Sequence, residues 1–353
     1  MASTPPRSRR QRGRPTINDV AQAAGVSPMT VSRVINGDGA VRDATRAKVT
    51  AAIAALDYSP SAAARTLAGG EELRLALIYA NPSAAYLSEL LMGALEGASA
   101  LNAQLSIEHF PRGGSPAALV AHMQAGRVNG IILPAPLCNN AQVLDALRAP
   151  GWPVVAVAAG MMPETVPALG IDDYAAAQTM TRHLIDLGHR RIGIIIGSPD
   201  QSASEQRLAG YRAALAQAGL AVDPTLEAQG DFTYRSGLAA SARLLDAANP
   251  PSAIFACNDD MAAATLAMAH ARGLMVPRDL TVCGFDDTPM ATTIWPELTT
   301  IRQPIRDMAR SAVEMLTTML RARRAEPDAP WPVQHTLMDH ALVRRQSDGA
   351  PKS

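Results

Sequence analysis

The residues best able to do chemistry are spaced against catalysis. Seven histidines, His109, His122, His183, His189, His270, His335 and His340, are dispersed along 353 residues with no metal-type spacing. Gly-His-Arg-Arg at 188–191 merely precedes a strand pattern. Cys138, Cys257 and Cys283 lie in apolar runs, again without metal spacing, which reads as buried thiols in a reducing compartment. There is no Gly-x-Ser-x-Gly elbow and no phosphate loop ending in Gly-Lys-Ser/Thr. No enzyme, metal or cofactor is expected.

The informative chemistry lies near the N-terminus, in Ile17-Asn18-Asp19-Val20-Ala21-Gln22-Ala23-Ala24-Gly25-Val26-Ser27-Pro28-Met29-Thr30-Val31-Ser32-Arg33-Val34-Ile35-Asn36. Val20, Ala21, Ala24, Val26, Val31 and Val34 give two short helices an apolar seam, and Gly25 permits the sharp turn between them. This is a helix-turn-helix, whose second helix enters the major groove. Ser27 is placed to cap that helix and Pro28 to open it. A third helix is expected from about Asp43 to Leu56, with Val49, Ile53 and Leu56 at helical spacing. Charge agrees with this. Residues 1–70 carry ten Lys+Arg against four Asp+Glu, a balance of +6. The other 283 carry 22 against 28, a balance of −6. A basic head on an acidic body suits a nucleic-acid-binding module joined to something that should not bind nucleic acid. Residues 1–15 are rich in Pro, Arg and Ser and should be disordered. Within them Arg12-Gly13-Arg14-Pro15 resembles an AT-hook core, so Arg12 and Arg14 are candidate minor-groove contacts, with a merely basic tail as the alternative.

From residue 73 the pattern changes to short β-rich runs alternating with amphipathic helices. The runs include 75–79, 130–133, 154–157, 192–196, 253–256 and 280–283, and the helices include Leu87–Ala100 and Glu205–Ala218. Apolar strands alternating with helices predict parallel sheets covered on both faces. About ten strand candidates are too many for one small sheet. Two doubly wound units with a ligand cleft at the strand C-termini are expected. The fold class is therefore α/β, with a small all-α helix-turn-helix head and two doubly wound parallel-sheet subdomains.

The string from Asp19 to Asn36 closely resembles the lactose-repressor family signature. So does Leu56-Asp57-Tyr58-Ser59-Pro60 leading into Ala64-Arg65-Thr66-Leu67-Ala68-Gly69. The resemblance covers roughly residues 16–345, and it implies that the body has the periplasmic-binding-protein fold. It divides the chain into a disordered basic tail (1–15), a helix-turn-helix domain (16–58), a hinge helix and linker (59–72), an effector-binding and dimerisation domain (73–345) and a tail (346–353).

The resemblance assigns base reading to Pro28, Met29 and Arg33. Arg33 suits the role, since a guanidinium can bond guanine O6 and N7 together. Met29 offers only apolar contact, as with a thymine methyl. Thr30, Ser32 and Asn36 match phosphate contacts, which position without specifying sequence, and Thr16 and Ser27 join the DNA-binding set. Relatives usually have Ser or Thr where this chain has Arg42. Arg42 cannot cap the third helix and is read as an added phosphate contact. Leu67 matches a leucine that the family wedges into the minor groove, with Ala64 small enough to let two hinge helices meet.

In the body, the resemblance marks Asn81, Tyr86, Asp173, Arg207, Phe232, Asn258 and Asp286 as effector-binding. A polyhydroxylated ligand needs such donors and acceptors, an arginine and an apolar stacking face. Many relatives carry an acid after the strand 154–157, where this chain has Ala158-Ala159-Gly160. Its pocket is expected to lack that polar group.

The expected function is a cytoplasmic, sequence-specific DNA-binding transcription regulator, a repressor controlled by a small-molecule effector such as a sugar. Its partners are a palindromic operator and a second copy of the chain. The rivals are a secreted solute-binding protein, which would carry a signal peptide in place of the head, and a regulator whose body binds a protein co-regulator instead. No run of about 18 apolar residues reads as membrane-spanning, and the N-terminus does not read as a signal peptide. The C-terminal residues hold no heptads, so a dimer is expected and not a tetramer.

Overall fold

The computed structural model describes residues 15–35, 41–56, 58, 73–158, 160–327 and 329–352. Arg12, Arg14, Asn36, Ala64 and Leu67 lie outside the described residues. The chain forms two compact units that divide between Glu72 and Leu73.

The first unit contains α1 (Ile17–Ala24), α2 (Pro28–Ile35) and α3 (Asp43–Ala55). Thr16 starts α1 with a reciprocal cap. Its backbone N–H donates to Asp19 Oδ2 at 2.7 Å, and its hydroxyl accepts from the Asp19 N–H at 3.4 Å. Gly25 ends α1 in the left-handed region at φ 67°, where its N–H reaches back to the Ala21 and Gln22 carbonyls. Ser27 Oγ accepts from the Thr30 N–H at 3.2 Å and caps α2. Val20, Val31 and Val49 are fully buried, one from each helix, with Ala21, Val34, Ala52 and Tyr58 around them.

The second unit has two lobes, each built on a six-stranded sheet. The first lobe contains β1 (Arg74–Tyr79), β2 (Gln104–His109), β3 (Gly130–Pro134), β4 (Val154–Val157), β5 (Ala168–Gly170) and β11 (His335–Leu337), in the order β2-β1-β3-β4-β5-β11, all parallel. The second contains β6 (Ile192–Ile196), β7 (Glu227–Gln229), β8 (Ala253–Ala256), β9 (Thr281–Asp286), β10 (Thr299–Arg302) and β12 (Ala341–Val343). Its order is β7-β6-β8-β9-β10-β12, and only β12 is antiparallel. Central strands such as Gly130–Pro134 and Val154–Val157 are buried along their whole length, as sheets covered on both faces require.

The chain passes between the lobes three times: after β5, after β10 and between β11 and β12. The second passage leads into helix Ile305–Ala325, which returns to the first lobe and packs on helix Ala84–Ala100. Gly93 makes that packing possible, since a Cβ there would lie 2.2 Å from the Arg306 carbonyl oxygen.

Residues 346–352, set apart in the sequence as a tail, are held by buried hydrogen bonds. Ser347 is fully buried. Its hydroxyl donates to the Val282 carbonyl at 2.6 Å and accepts from the Thr299 N–H at 2.9 Å. Asp348 accepts from Thr299 Oγ1 at 2.6 Å and pairs with His183 at 2.7 Å. The Gly349 carbonyl accepts from His189 and Thr281. Burial works against the Asp348 charge, but His183, Thr299 and Arg344 hold its carboxyl below the usual range. Its contribution to stability is therefore full above the ordinary carboxylate pKa and is lost as pH falls through the folded value. Asp348→Ala should cost about 1–3 kcal/mol by leaving buried donors unpaired. Urea unfolding at pH 7 and pH 3 checks this, with the deficit expected to shrink at the lower pH.

Candidate functional site: an exposed helix face and a closed cleft

On the head, Pro28, Met29 and Arg33 are exposed on α2, and Met29 is 67% exposed. Thr30 and Ser32 are half-buried beside them. Thr16 and Ser27 are exposed, but their hydroxyls are engaged in helix caps. Arg42 is exposed at the start of α3 and makes no side-chain cap bond.

In the body, the loops that follow the strands converge on one chamber. Asn81 follows β1, Ala135 follows β3, Ala158 follows β4 and Asp173 follows β5. Gln201 follows β6, Phe232 follows β7, Asn258 follows β8, Asp286 ends β9 and Gln303 follows β10. This is where doubly wound sheets place ligands. All seven residues marked from the sequence, Asn81, Tyr86, Asp173, Arg207, Phe232, Asn258 and Asp286, line this chamber.

Arg207 sits at its centre, on helix Ser202–Gln217, and is 5% exposed. Its Nε donates to Asp173 Oδ1 at 2.8 Å and one terminal nitrogen to the Cys257 carbonyl at 2.5 Å. Asp286 lies 4.0 Å away. The guanidinium carbon is 3.5 Å from the Phe285 ring centroid and 5.8 Å from that of Phe232. Burial disfavours the Arg207 charge, but Asp173 and Asp286 more than restore it. Both carboxyls are raised by burial, with Arg207 opposing, and Asp286 is raised the further. Burial also pushes the Asp259 carboxyl behind them to about 7, against donors from Thr300 and Thr288. The Cys138 and Cys257 thiols are pushed up to about 12 by burial. They stay protonated and are poor nucleophiles at neutral pH.

Other residues hold the chamber's walls. Asn258 Oδ1 caps its helix at the Met261 N–H, and its Nδ2 donates to the Phe232 carbonyl at 2.9 Å. Gln303 Nε2 donates to Asp286 Oδ1 at 2.5 Å. Ala158, Phe232, Asp286 and its neighbour Asp287 have φ of 54°, 70°, 108° and 56°. Backbone strain of this kind, about 1–3 kcal/mol per residue, gathers at functional sites. Tyr86 Oη, Gln201 Nε2 and Ser204 Oγ are buried without a hydrogen-bond partner among the described residues. Tyr86 and Gln201 both line the chamber.

The chamber is closed down to about 30 Å³. Contacts across the lobes hold it shut. Ser83 Oγ donates to Asp260 Oδ2 at 2.5 Å, and Ser202 Oγ donates to Asn139 Oδ1 at 2.9 Å while accepting from the Met161 N–H at 3.0 Å. The sequence reading missed Ser83, Gln201 and Gln303. Gln201 and Gln303 follow strands just as the marked residues do, and that position was the available signal.

Helix-turn-helix head and two-lobed cleft together define a DNA-binding regulator with a ligand-sensing type of body. Residues 16–61 match the model for bacterial regulatory proteins of the lacI family, and residues 181–347 match a periplasmic binding protein-like domain. The HTH-type transcriptional regulator CelR of Thermobifida fusca is 35% identical over 350 residues, spanning 95% of this chain and 98% of that protein. A solved transcriptional regulator CelR–cellobiose complex aligns with a TM-score of 0.71 at 32% identity, covering 95% of this chain and all of the other. The lac repressor dimer bound to operator and the anti-inducer ONPF aligns with a TM-score of 0.73 at 28% identity, covering 96% of this chain and all of the other. The chain belongs to the LacI family of transcription regulators, and its relatives are regulators, not enzymes. No helix among the described residues is long and apolar enough to cross a membrane.

Proposed function

We propose that this regulator is a cytoplasmic homodimeric repressor that grips a palindromic operator and responds to a sugar or sugar derivative in the inner chamber. One helix-turn-helix reads only a half-site, so a palindromic operator calls for a second copy of the chain. Exposed Pro28, Met29 and Arg33 are assigned to base edges, with Thr30 and Ser32 beside them on phosphates. The cellobiose held by one solved relative and the operator held by another support both halves of the reading.

The observation that carries the sensing half is the pair of orphaned polar atoms, Tyr86 Oη and Gln201 Nε2, beside an arginine and the Phe232 ring. A ligand hydroxyl would supply the missing partner for each. Tyr86→Phe separates ligand binding from folding. Removing a buried unpaired hydroxyl should raise the stability of the free protein by about 1 kcal/mol. It should also weaken the sugar by about fivefold. Calorimetry with a panel of hexoses and disaccharides measures the second effect, and thermal unfolding the first. If no saccharide binds the wild type, the sugar reading fails and a protein co-regulator takes its place.

A further inference from the structure

Gly160 stands in the loop that follows β4, two residues beyond Ala158. Ala158 lines the inner chamber, but Gly160 meets the second lobe instead. A Cβ on Gly160 would lie 2.3 Å from the Ala203 nitrogen and 2.5 Å from the Ala203 Cα. Ordinary contact needs about 3.5 Å, so a side chain here would drive the two backbones apart by about 1 Å. The φ of Gly160 lies outside the left-handed region, so its backbone does not call for glycine. Space alone calls for it, and only while the lobes are together.

Ser202 ties this contact down. Its hydroxyl accepts from the Met161 N–H at 3.0 Å and donates to Asn139 Oδ1 at 2.9 Å, while Asn139 Nδ2 donates to the Met161 carbonyl at 2.9 Å. Asn139 and Met161 belong to the first lobe. Ser202 belongs to the second, where it opens the helix that carries Arg207. Another tie crosses the cleft at Ser83, which is buried and donates to Asp260. Burial raises the Asp260 carboxyl, and Ser83 opposes the rise. Closing therefore strips water from a charge that parting would hydrate again. With these ties made, the inner chamber keeps about 30 Å³, room for about one water molecule. A ligand larger than water and the ties cannot coexist.

We propose that Gly160 and Ser202 form a clasp that competes with the effector. The effector enters only when the clasp parts and Arg207 moves away from the first-lobe wall. Its apparent affinity is then the intrinsic affinity reduced by the fraction of molecules that are unclasped. Gly160 is a positioning residue: it touches no ligand and acts by letting the lobes meet. The clasp rests on the ligand-sensing role proposed for the chamber, and adds what holds that chamber shut.

The test uses the full-length protein with Gly160→Ala and, separately, Ser202→Ala. The first adds a methyl group that the clasped geometry has no room for. The second removes the tying hydroxyl, adds no bulk and keeps the experiment decisive if the first fails to fold. Hydrogen exchange is measured without ligand. Peptides 83–87 and 258–262 lie at the Ser83–Asp260 tie and should exchange about 10-fold faster in both variants. A purely local disturbance at residue 160 or 202 would leave those peptides unchanged. Calorimetry with a saccharide that binds the wild type should show binding tightened by about 10-fold, the size expected when two hydrogen bonds are lost from the competing state. The operator Kd without saccharide should move toward the value that the wild type shows at saturating saccharide. Unchanged exchange in both variants overturns the clasp. Faster exchange with unchanged or weaker saccharide binding overturns its competition with the effector. If no saccharide binds the wild type, the sugar reading fails alone, and the clasp stands or falls on the exchange rates.

Discussion

Arg207→Ala is expected to destabilise the body by about 3–5 kcal/mol and to abolish the effector response, because it leaves two buried carboxylates without their cation. Asp173 accepts from Arg207 at 2.8 Å and Asp286 lies 4.0 Å away, both nearly fully buried. Without the guanidinium, each carboxyl relieves the strain by taking up a proton, so both rise further above the ordinary value. The sign of the pH effect follows. A carboxyl raised in the folded state binds more protons folded than unfolded above its ordinary pKa, so stability falls as pH rises. The deficit against wild type should therefore widen between pH 5 and pH 8 in urea unfolding. Arg207→Lys tests the ligand role apart from charge. It keeps the cation but loses the planar fork, so it should fold while its response shifts by about 10-fold or more. An Arg207→Ala protein with wild-type stability at pH 8 would show that the ion cluster contributes nothing.

Arg33→Ala should cost about 1–3 kcal/mol of discrimination at one base pair of each half-site, or about 5- to 150-fold in specific affinity. Arg33 is exposed on α2, and the proposed function places it on a guanine edge. Sequence-independent binding should change by much less, since the phosphate contacts proposed for Thr30 and Ser32 would remain. Competition between the operator and every single-base variant at fixed salt reads this directly. A uniform loss on all sequences would place Arg33 on a phosphate instead.

How far the sequence spoke depended on the range of the interactions. The turn and the second cap of the head were legible because they are local, Gly25 after α1 and Ser27 on α2, whereas Thr16 was read only as a DNA contact and the structure shows that it caps α1 with Asp19. The alternating strands and helices of the body were legible from periodicity, although the three passages between the lobes were not. The seven chamber residues were named through family resemblance, since nothing in their spacing brings Asn81 beside Asp286. What composition hid was set by contacts far apart in the chain. Ser347 and Asp348 read as part of a polar tail, yet they are bonded to Val282, Thr299 and His183. Gln201 carries no local signal of its own, and only the fold buries its amide at the chamber wall.

The central claim is that one chain couples operator binding to a ligand in the cleft. Fluorescence anisotropy of a labelled operator, titrated with the full-length protein at fixed salt, measures that coupling when repeated at saturating saccharide. At least one saccharide should shift the operator Kd by about 5- to 150-fold, the span of typical allosteric coupling, and Arg207→Lys should reduce the shift. An operator Kd that does not move with any saccharide shown by calorimetry to bind would contradict the account.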